Sequence, residues 1–397
     1  MGRSLAHEHS VARSLYARAE TAIGYDVLRA GDNVHQELDR GEVVQPALLA
    51  YGAAAWSVMA AAGLSPPAAM AGHSLGEIAA LVCAEALDLE EALLLAQLRG
   101  RLMAKCRTGR MAVVFGLQTD TVAAACASVT TGQVVVANRN STEQCVISGD
   151  TVAVETAGRI VSGMGGVVRP LAVEVAAHSP LMEPAVPEFA EAVARAEIQA
   201  PRLPVVSSLT GRAFLDAREV RDTLAEALTQ CIDWPRSVRG LHALGAVSLI
   251  EAGPKTVLRD LVMVDQPAVR AYSLASPGGL RELMSQLEPE TGGAHREPSE
   301  ENHLSVLQAL LRLLVGTPSR TALPTDDFRD RVRQPYLSLR AAADQVRSGV
   351  TAPRSQIEAM ATATVSALSA KGFDPNQAQS MVDRALLDAR AWPPSTP

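Results

Sequence analysis

A chain of 397 residues, 48% of them hydrophobic, carries enough apolar material for a large buried core and for two or three domains or subdomains. Its 36 Lys and Arg are scattered among 43 Asp and Glu, for a net charge of −7, so no basic stripe invites nucleic acid. The opening "MGRSLAHEHS" lacks a secretory apolar core, the apolar runs fall short of the roughly 20 residues of a membrane span, and five cysteines without a CxxC pair read as reduced core residues, so a cytoplasmic protein without a membrane or metal role is expected.

In chain order, residues 1–110 read as helices around one strand. "PALLAYGAAAWSVMAAAG" (46–63) has Pro near its start and Gly at its end, the asymmetry of a helix. "PPAAMAGHS" then reads as a short apolar strand, and "LGEIAALVCAEAL" as a helix. From Met111 to Val175 the pattern is strand "MAVVFGL", helix "DTVAAACASV", strands "QVVVAN" and "QCVISG", helix "DTVAVETAGRIVSGMG" and strand "GVVRPLAVEV". That βαββαβ order is the ferredoxin-like split unit, expected as a small subdomain at 111–175 inserted in a larger α/β core made of 1–110 and 176–286.

"SPLMEPAVPEFAEAVARAEI" returns to helix, and "LPVVSSLTG" and "AVSLIEAGP" read as strands ended by turn residues. Residues 287–302, polar, Pro- and Gly-containing and without periodicity, read as a linker. Beyond it, residues 303–397 hold four segments with apolar residues at helical spacing, an all-helical appendage with no interpretable motif.

"AGHSLGEIAA" (71–80) sets a serine between two glycines at a strand-to-helix turn. In a nucleophile elbow the glycines relieve crowding, Ser74 Oγ projects from the sheet end, and the N–H of Leu75 is a natural oxyanion donor. Gly and Ser are turn residues anyway, so the motif by itself leaves Ser74 either nucleophile or turn. His73 adjoins the serine but points elsewhere in such a turn. His178, at the end of an expected strand and before a Pro, is the best-placed base, with a plain surface histidine as the alternative. Arg99 sits on a mostly apolar helix face beside Gly100, where a guanidinium must find an anion: a ligand, or an internal Asp or Glu.

Together, "QPALLA" (45–50), "AGHSLGEIAAL" (71–81), "LRGRLM" (98–103), "ANRNSTEQCVISGD" (137–150), "AAHSPLMEP" (176–184), "PVVSSLTG" (204–211), "DWPRSV" (233–238) and "LIEAGPKTVL" (249–258) resemble the malonyl-CoA:acyl-carrier-protein transacylases and the acyltransferase domains of polyketide synthases. The resemblance runs over about 270 residues. It implies a hydrolase-like α/β core with the ferredoxin-like insert, Ser74 as acylated nucleophile, His178 as its base held by backbone carbonyls, and Arg99 forking onto the free carboxylate of a malonyl-type acyl group. It further places His73, Met103 and Asn140 near the substrate. The implied chemistry is ping-pong, from acyl-CoA to the phosphopantetheine thiol of an acyl carrier protein, with no permanent cofactor, in fatty acid or polyketide synthesis.

Three positions depart from that family pattern. Family members open with a strand and a glycine- and glutamine-rich loop that gives the second oxyanion N–H, and "MGRSLA" aligns just after it. The expectation is therefore a start assigned too late, or a chain short of one core strand and one donor, the latter typically worth about 10²–10³ in rate. A family glutamine is replaced by Ala227, and "VAAH" (175–178) matches neither acyl-selection pattern, which leaves the acyl group open. The alternatives are a serine hydrolase or thioesterase, which would want the chain order Ser, Asp, His, and an inactive scaffold. Oligomeric state is not legible.

Overall fold

Residues 2–32, 40–106, 109–266, 269–275 and 279–287, parts of 306–317, residues 331–332 and 334–347, and 353–388 are described by a computed structural model. The chain divides into two compact units, Met1–Glu288 and Pro289–Pro397.

The first unit opens with helices α1 (Arg3–Glu8), α2 (Ser10–Ile23), α3 (Val27–Asp32) and α4 (Gly41–Ala61). Helix α4 starts five residues before the expected Pro46, which therefore lies inside it. A proline there cannot donate to the Glu42 carbonyl, and the Tyr25 hydroxyl donates to that oxygen instead, at 3.1 Å. At 21 residues α4 is long and apolar enough to cross a bilayer, contrary to the length expected of the apolar runs. Two-thirds of its apolar window is buried inside the protein, as in a core helix. Strand β1 is only Met70–Ala71 and leads through Ser74 into α5 (Leu75–Cys83); α6 (Leu89–Lys105) follows.

The second pattern forms β2 (Gly109–Phe115), α7 (Thr119–Ala127), β3 (Val134–Ser141), β4 (Gln144–Asp150), α8 (Thr151–Gly163) and β5 (Val167–Pro170). These strands lie in the order β5-β2-β4-β3, antiparallel throughout. Their apolar residues Val114, Cys145 and Ile147 bury against Val122, Cys126, Val154 and Val161 of the two helices. The last strand is shorter than expected: β5 ends at Pro170, the Leu171 N–H makes one more bond, to the Met111 carbonyl at 2.9 Å, and residues 171–178 form no strand.

Beyond it the expected single helix is split by its prolines into a 3₁₀ turn (Pro180–Ala185) and α9 (Val186–Arg195). Then come β6 (Val205–Val206), α10 (Ala217–Glu226), β7 (Ile232–Asp233), α11 (Trp234–Ala243), β8 (Ser248–Glu251), α12 (Val257–Asp265), β9 (Arg270–Ser273) and α13 (Gly279–Leu287). Strand β7 joins β3 in parallel, so a strand from outside 111–175 completes the five-stranded sheet. Elsewhere in the first unit lie two parallel pairs, β1 with β6 and β8 with β9. Both pairs lie between the same two apolar layers. Met70, Ile250 and Tyr272 face the main core, while Ala71, Leu249 and Ala271 pack on the cluster of Trp234, Val238, Leu261 and Val262. The architecture is α/β with mixed sheets and many helices.

In the second unit, α14 (Gln334–Arg347), α15 (Arg354–Ala370) and α16 (Pro375–Asp388) share a core of their own with Leu307, Leu310 and Leu314. The expected linker at 287–302 lies outside the described residues except for Leu287.

Candidate active site

The strand-to-helix turn at Ser74 is strained. Its φ of 54° and ψ of −112° are a backbone geometry that costs on the order of 1–3 kcal/mol and is found where a site needs it. Of the two glycines, only Gly72 is demanded by space: a Cβ there would sit 1.9 Å from the Gly76 carbonyl carbon, whereas a Cβ on Gly76 meets nothing within 4 Å. Leu75 is the first residue of α5. Among the described residues no backbone acceptor pairs with its N–H, one of the orphan donors at a helix start.

His178 also takes a positive φ, 57°, after the chain leaves β5. That conformation turns the ring toward the elbow, where the Ser74 hydroxyl donates to Nε2 at 2.8 Å. On the far side Nδ1–H donates to the main-chain carbonyl of Ala227 at 2.6 Å, which fixes tautomer and orientation without a carboxylate. The replacement of a family glutamine by Ala227 is thus harmless to this contact, since any residue supplies the carbonyl. Only 4% of His178 is exposed. Burial first, and then the nearby Arg99 charge, push its pKa down to about 3, so the ring is neutral and able to accept a proton throughout the physiological range.

Arg99 reaches the same point from α6. Its Nη2 donates to Ser74 Oγ at 3.0 Å and its Nη1 to Gln45 Oε1 at 2.8 Å. Gly100 beside it lets α6 approach α4: a Cβ on Gly100 would lie 2.1 Å from the Gly41 carbonyl carbon. Arg99 is 5% exposed, and burial pulls its pKa down to about 10 although Glu77 opposes the shift. Its hydrogen-bond partners among the described residues are a hydroxyl and a carboxamide, so there a buried positive charge stands next to the serine without a bonded anion.

The remaining expected residues sit one step back. His73 turns away from Ser74, and its Nε2 contacts Asn140 Oδ1 at 3.0 Å; Asn140 in turn donates to Gln144 Oε1 at 2.9 Å. The His73 ring also packs at 6.3 Å, tilted 52°, on Trp234. These links tie the elbow to β3, β4 and α11. Met103, one helical turn beyond Arg99, is buried, and its sulfur accepts from Gln45 Nε2 at 3.6 Å.

Sequence reasoning missed Gln45, Glu77 and the Ala227 carbonyl. A carbonyl has no sequence signature. Glu77, 1% exposed in the first turn of α5, accepts from the Ser208 N–H, and burial pushes its carboxyl up to about 7. An acidic residue inside an alanine-rich segment was the available hint. Gln45 stood just ahead of the expected helix, at the start of the stretch "QPALLA" that carries the resemblance.

Residues 1–262 match the model of the acyl transferase domain family. The chain is 35% identical over 288 residues to the malonyl CoA-acyl carrier protein transacylase of Salmonella typhimurium, covering 71% of this chain and 93% of that protein. It is 33% identical over 253 residues to the polyketide biosynthesis malonyl CoA-acyl carrier protein transacylase PksC of Bacillus subtilis, covering 63% and 88%. Among solved structures, FabD from Acinetobacter baumannii superposes with a TM-score of 0.67 at 33% identity, covering 71% of this chain and 91% of that one. A malonyl-transacylase solved in complex with a type II PKS acyl-carrier protein superposes with a TM-score of 0.68 at 33% identity, covering 71% and 93%.

Proposed function

The chain belongs to the acyl transferase domain family, and from that premise we propose that it moves a malonyl-type acyl group from CoA to the phosphopantetheine thiol of an acyl carrier protein through a Ser74 acyl-enzyme. The observation that carries this reading is the buried Arg99 guanidinium, 3.0 Å from Ser74 Oγ and, among the described residues, bonded only to neutral groups. A desolvated cation in that position favours an acyl group that ends in a carboxylate.

In the first half-reaction His178 Nε2 takes the Ser74 proton as Oγ attacks the thioester carbonyl. The oxyanion of the tetrahedral intermediate meets the Leu75 N–H, and the CoA sulfur leaves with the proton returned by His178. In the second half the carrier-protein thiol gives its proton to His178, attacks the acyl-serine ester, and Ser74 recovers its hydrogen. No permanent cofactor is needed. His73 and Asn140 hold the elbow against the five-stranded sheet, and Met103 supports the arginine through Gln45.

The reading extends to the architecture: a hydrolase-like core at 1–110 and 176–286, a ferredoxin-like insert at 111–175, a linker at 287–302, and a helical appendage at 303–397, in a soluble cytoplasmic protein. A hydrolase of the Ser-His-Asp kind is disfavoured because His178 Nδ1 is held by a carbonyl and Arg99 would have no hydrolytic task. An inactive scaffold is disfavoured by the assembled Ser74, His178 and Arg99.

Intact mass spectrometry after incubation with malonyl-CoA, with and without holo carrier protein, tests the proposal. A malonyl adduct that is absent in Ser74→Ala and is discharged onto the carrier protein is the expected result. An adduct discharged as fast by water makes the protein a hydrolase, and an adduct-free chain makes it a scaffold.

A further inference from the structure

Arg99 is held by a partner that leaves its charge intact. At the crossing of α4 and α6, Gly41 and Gly100 face each other so closely that a Cβ on Gly100 would overlap the Gly41 main chain. Gln45 lies one helical turn past Gly41, and Met103 one turn past Arg99, so the close crossing brings all three side chains together. The carboxamide spans the two α6 residues: Oε1 accepts from Arg99 Nη1 at 2.8 Å, and Nε2 donates to Met103 Sδ at 3.6 Å. A guanidinium has no acceptor atom and would repel an amide N–H, so the amide has one workable orientation.

Two properties follow from this arrangement. Pinning Nη1 sets the plane of the guanidinium while Nη2 stays at Ser74 Oγ, the atom that would carry the acyl group. A carboxamide also satisfies the buried N–H without neutralising the cation, as a carboxylate of the same shape would. The nearby carboxylate that Arg99 feels, Glu77, has its Oε2 on the Ser208 N–H.

Resting on the acyl-transfer reading above, we infer that Gln45 is a positioning residue that determines acyl specificity: as a neutral acceptor it orients Arg99 and reserves the arginine's charge for the carboxylate of the incoming acyl group. Glutamate at this position would close an internal ion pair across the same 2.8 Å contact. The arginine would then be spent on the protein, and a malonyl-type group would meet a neutral pair with a second carboxylate beside it.

The test uses the full chain with Gln45→Glu, which keeps the shape and adds a charge, and Gln45→Met, which removes the acceptor. Acyl-enzyme formation is followed from malonyl-CoA and from acetyl-CoA, and labelling of Ser74 by a neutral fluorophosphonate scores correctly folded protein. In Gln45→Glu, kcat/KM for malonyl loading is expected to fall about 100-fold, mostly in KM, and acetyl loading to fall less than about 3-fold. In Gln45→Met, malonyl loading is expected to fall about 10-fold with the same bias, because the charge survives and only the orientation loosens. Equal losses for both acyl groups, or an unchanged malonyl preference in a Gln45→Glu protein that still labels at Ser74, would overturn the inference and leave the transferase reading standing. A wild-type chain that loads neither acyl group would overturn both.

Discussion

Replacing Gly100 with alanine perturbs the site without touching a reacting atom. On helix propensity alone, Gly→Ala in the interior of α6 would stabilise by about 0.5–1 kcal/mol. The structure reverses that sign. The new Cβ would lie 2.1 Å from the Gly41 carbonyl carbon, 2.2 Å from its oxygen and 2.5 Å from Glu42 N, where ordinary contact begins at 3.4 Å. All three are backbone atoms of α4, so no rotamer relieves the overlap and the helices must part by about 1 Å. Overpacking of this kind costs about 1–3 kcal/mol and occasionally more, and for a unit of this size each kcal/mol lowers Tm by about 2–4 °C.

The reciprocal change, Gly41→Ala, is milder. Its nearest contact is 2.9 Å to Gly100 O, and the residue opens α4 instead of crossing its middle. The expected order of stability in calorimetric melting is therefore wild type, then Gly41→Ala, then Gly100→Ala, with the last about 2–12 °C below wild type. Because the separation draws Gln45 from Arg99 and leaves the charge intact, malonyl loading in Gly100→Ala should fall about 10-fold, as in Gln45→Met, and neutral fluorophosphonate labelling of Ser74 much less. A Gly100→Ala protein as stable as wild type, or less perturbed than Gly41→Ala, would refute the claim that this crossing sets the position of the arginine.

The pH dependence of Ser74 labelling should lack the usual histidine limb near 6.5. His178, held neutral down to about 3, remains a base across pH 8 to 5, and a limb near 6.5 in both wild type and Glu77→Gln would contradict its burial. Stability moves oppositely for the two buried groups. The lowered pKa of His178 means the unfolded chain binds the extra proton, so stability falls as pH drops from 6.5 toward 3. The raised pKa of Glu77 makes the folded chain bind it, so stability falls as pH rises from 4.5 to about 7. Glu77→Gln should remove that second fall, as read from melting temperatures at pH 5 and 8. In the second unit, Lys371 is 6% exposed and donates to the carbonyls of Leu314 and Thr317. Lys371→Met should destabilise that unit by about 1–3 kcal/mol in a denaturant titration while leaving Ser74 labelling unchanged. Loss of labelling would show that the two units do not fold independently.

Local pattern carried the elements whose causes are local. The elbow at Ser74 was legible because a strand, a Gly-flanked serine and an alanine-rich helix follow one another within 20 residues, and the βαββαβ order from the change of period after Met111. Element ends were less so: Pro46 marked the inside of α4 because a distant hydroxyl, Tyr25, takes the carbonyl the proline abandons. Strand β5 stopped at Pro170, short of His178, and the small sheet borrowed β7 from residues 232–233. Those outcomes depend on partners far along the chain.

For the site, the sequence by itself determined that a serine would be presented at a tight turn and that a lone arginine on an apolar helix would need an anion or a substitute for one. It also singled out His178 as the best-placed base with a surface histidine as the alternative, and the family resemblance favoured the base. Only the tertiary structure decided what Arg99 does with its charge. Two helices crossing at Gly41 and Gly100 put a carboxamide where a carboxylate would have cancelled it, and a backbone carbonyl at Ala227 replaced the acid that a histidine base ordinarily leans on. Both contacts join residues about 50 positions apart through neutral groups, which leave no charge pattern or periodicity in the sequence to read.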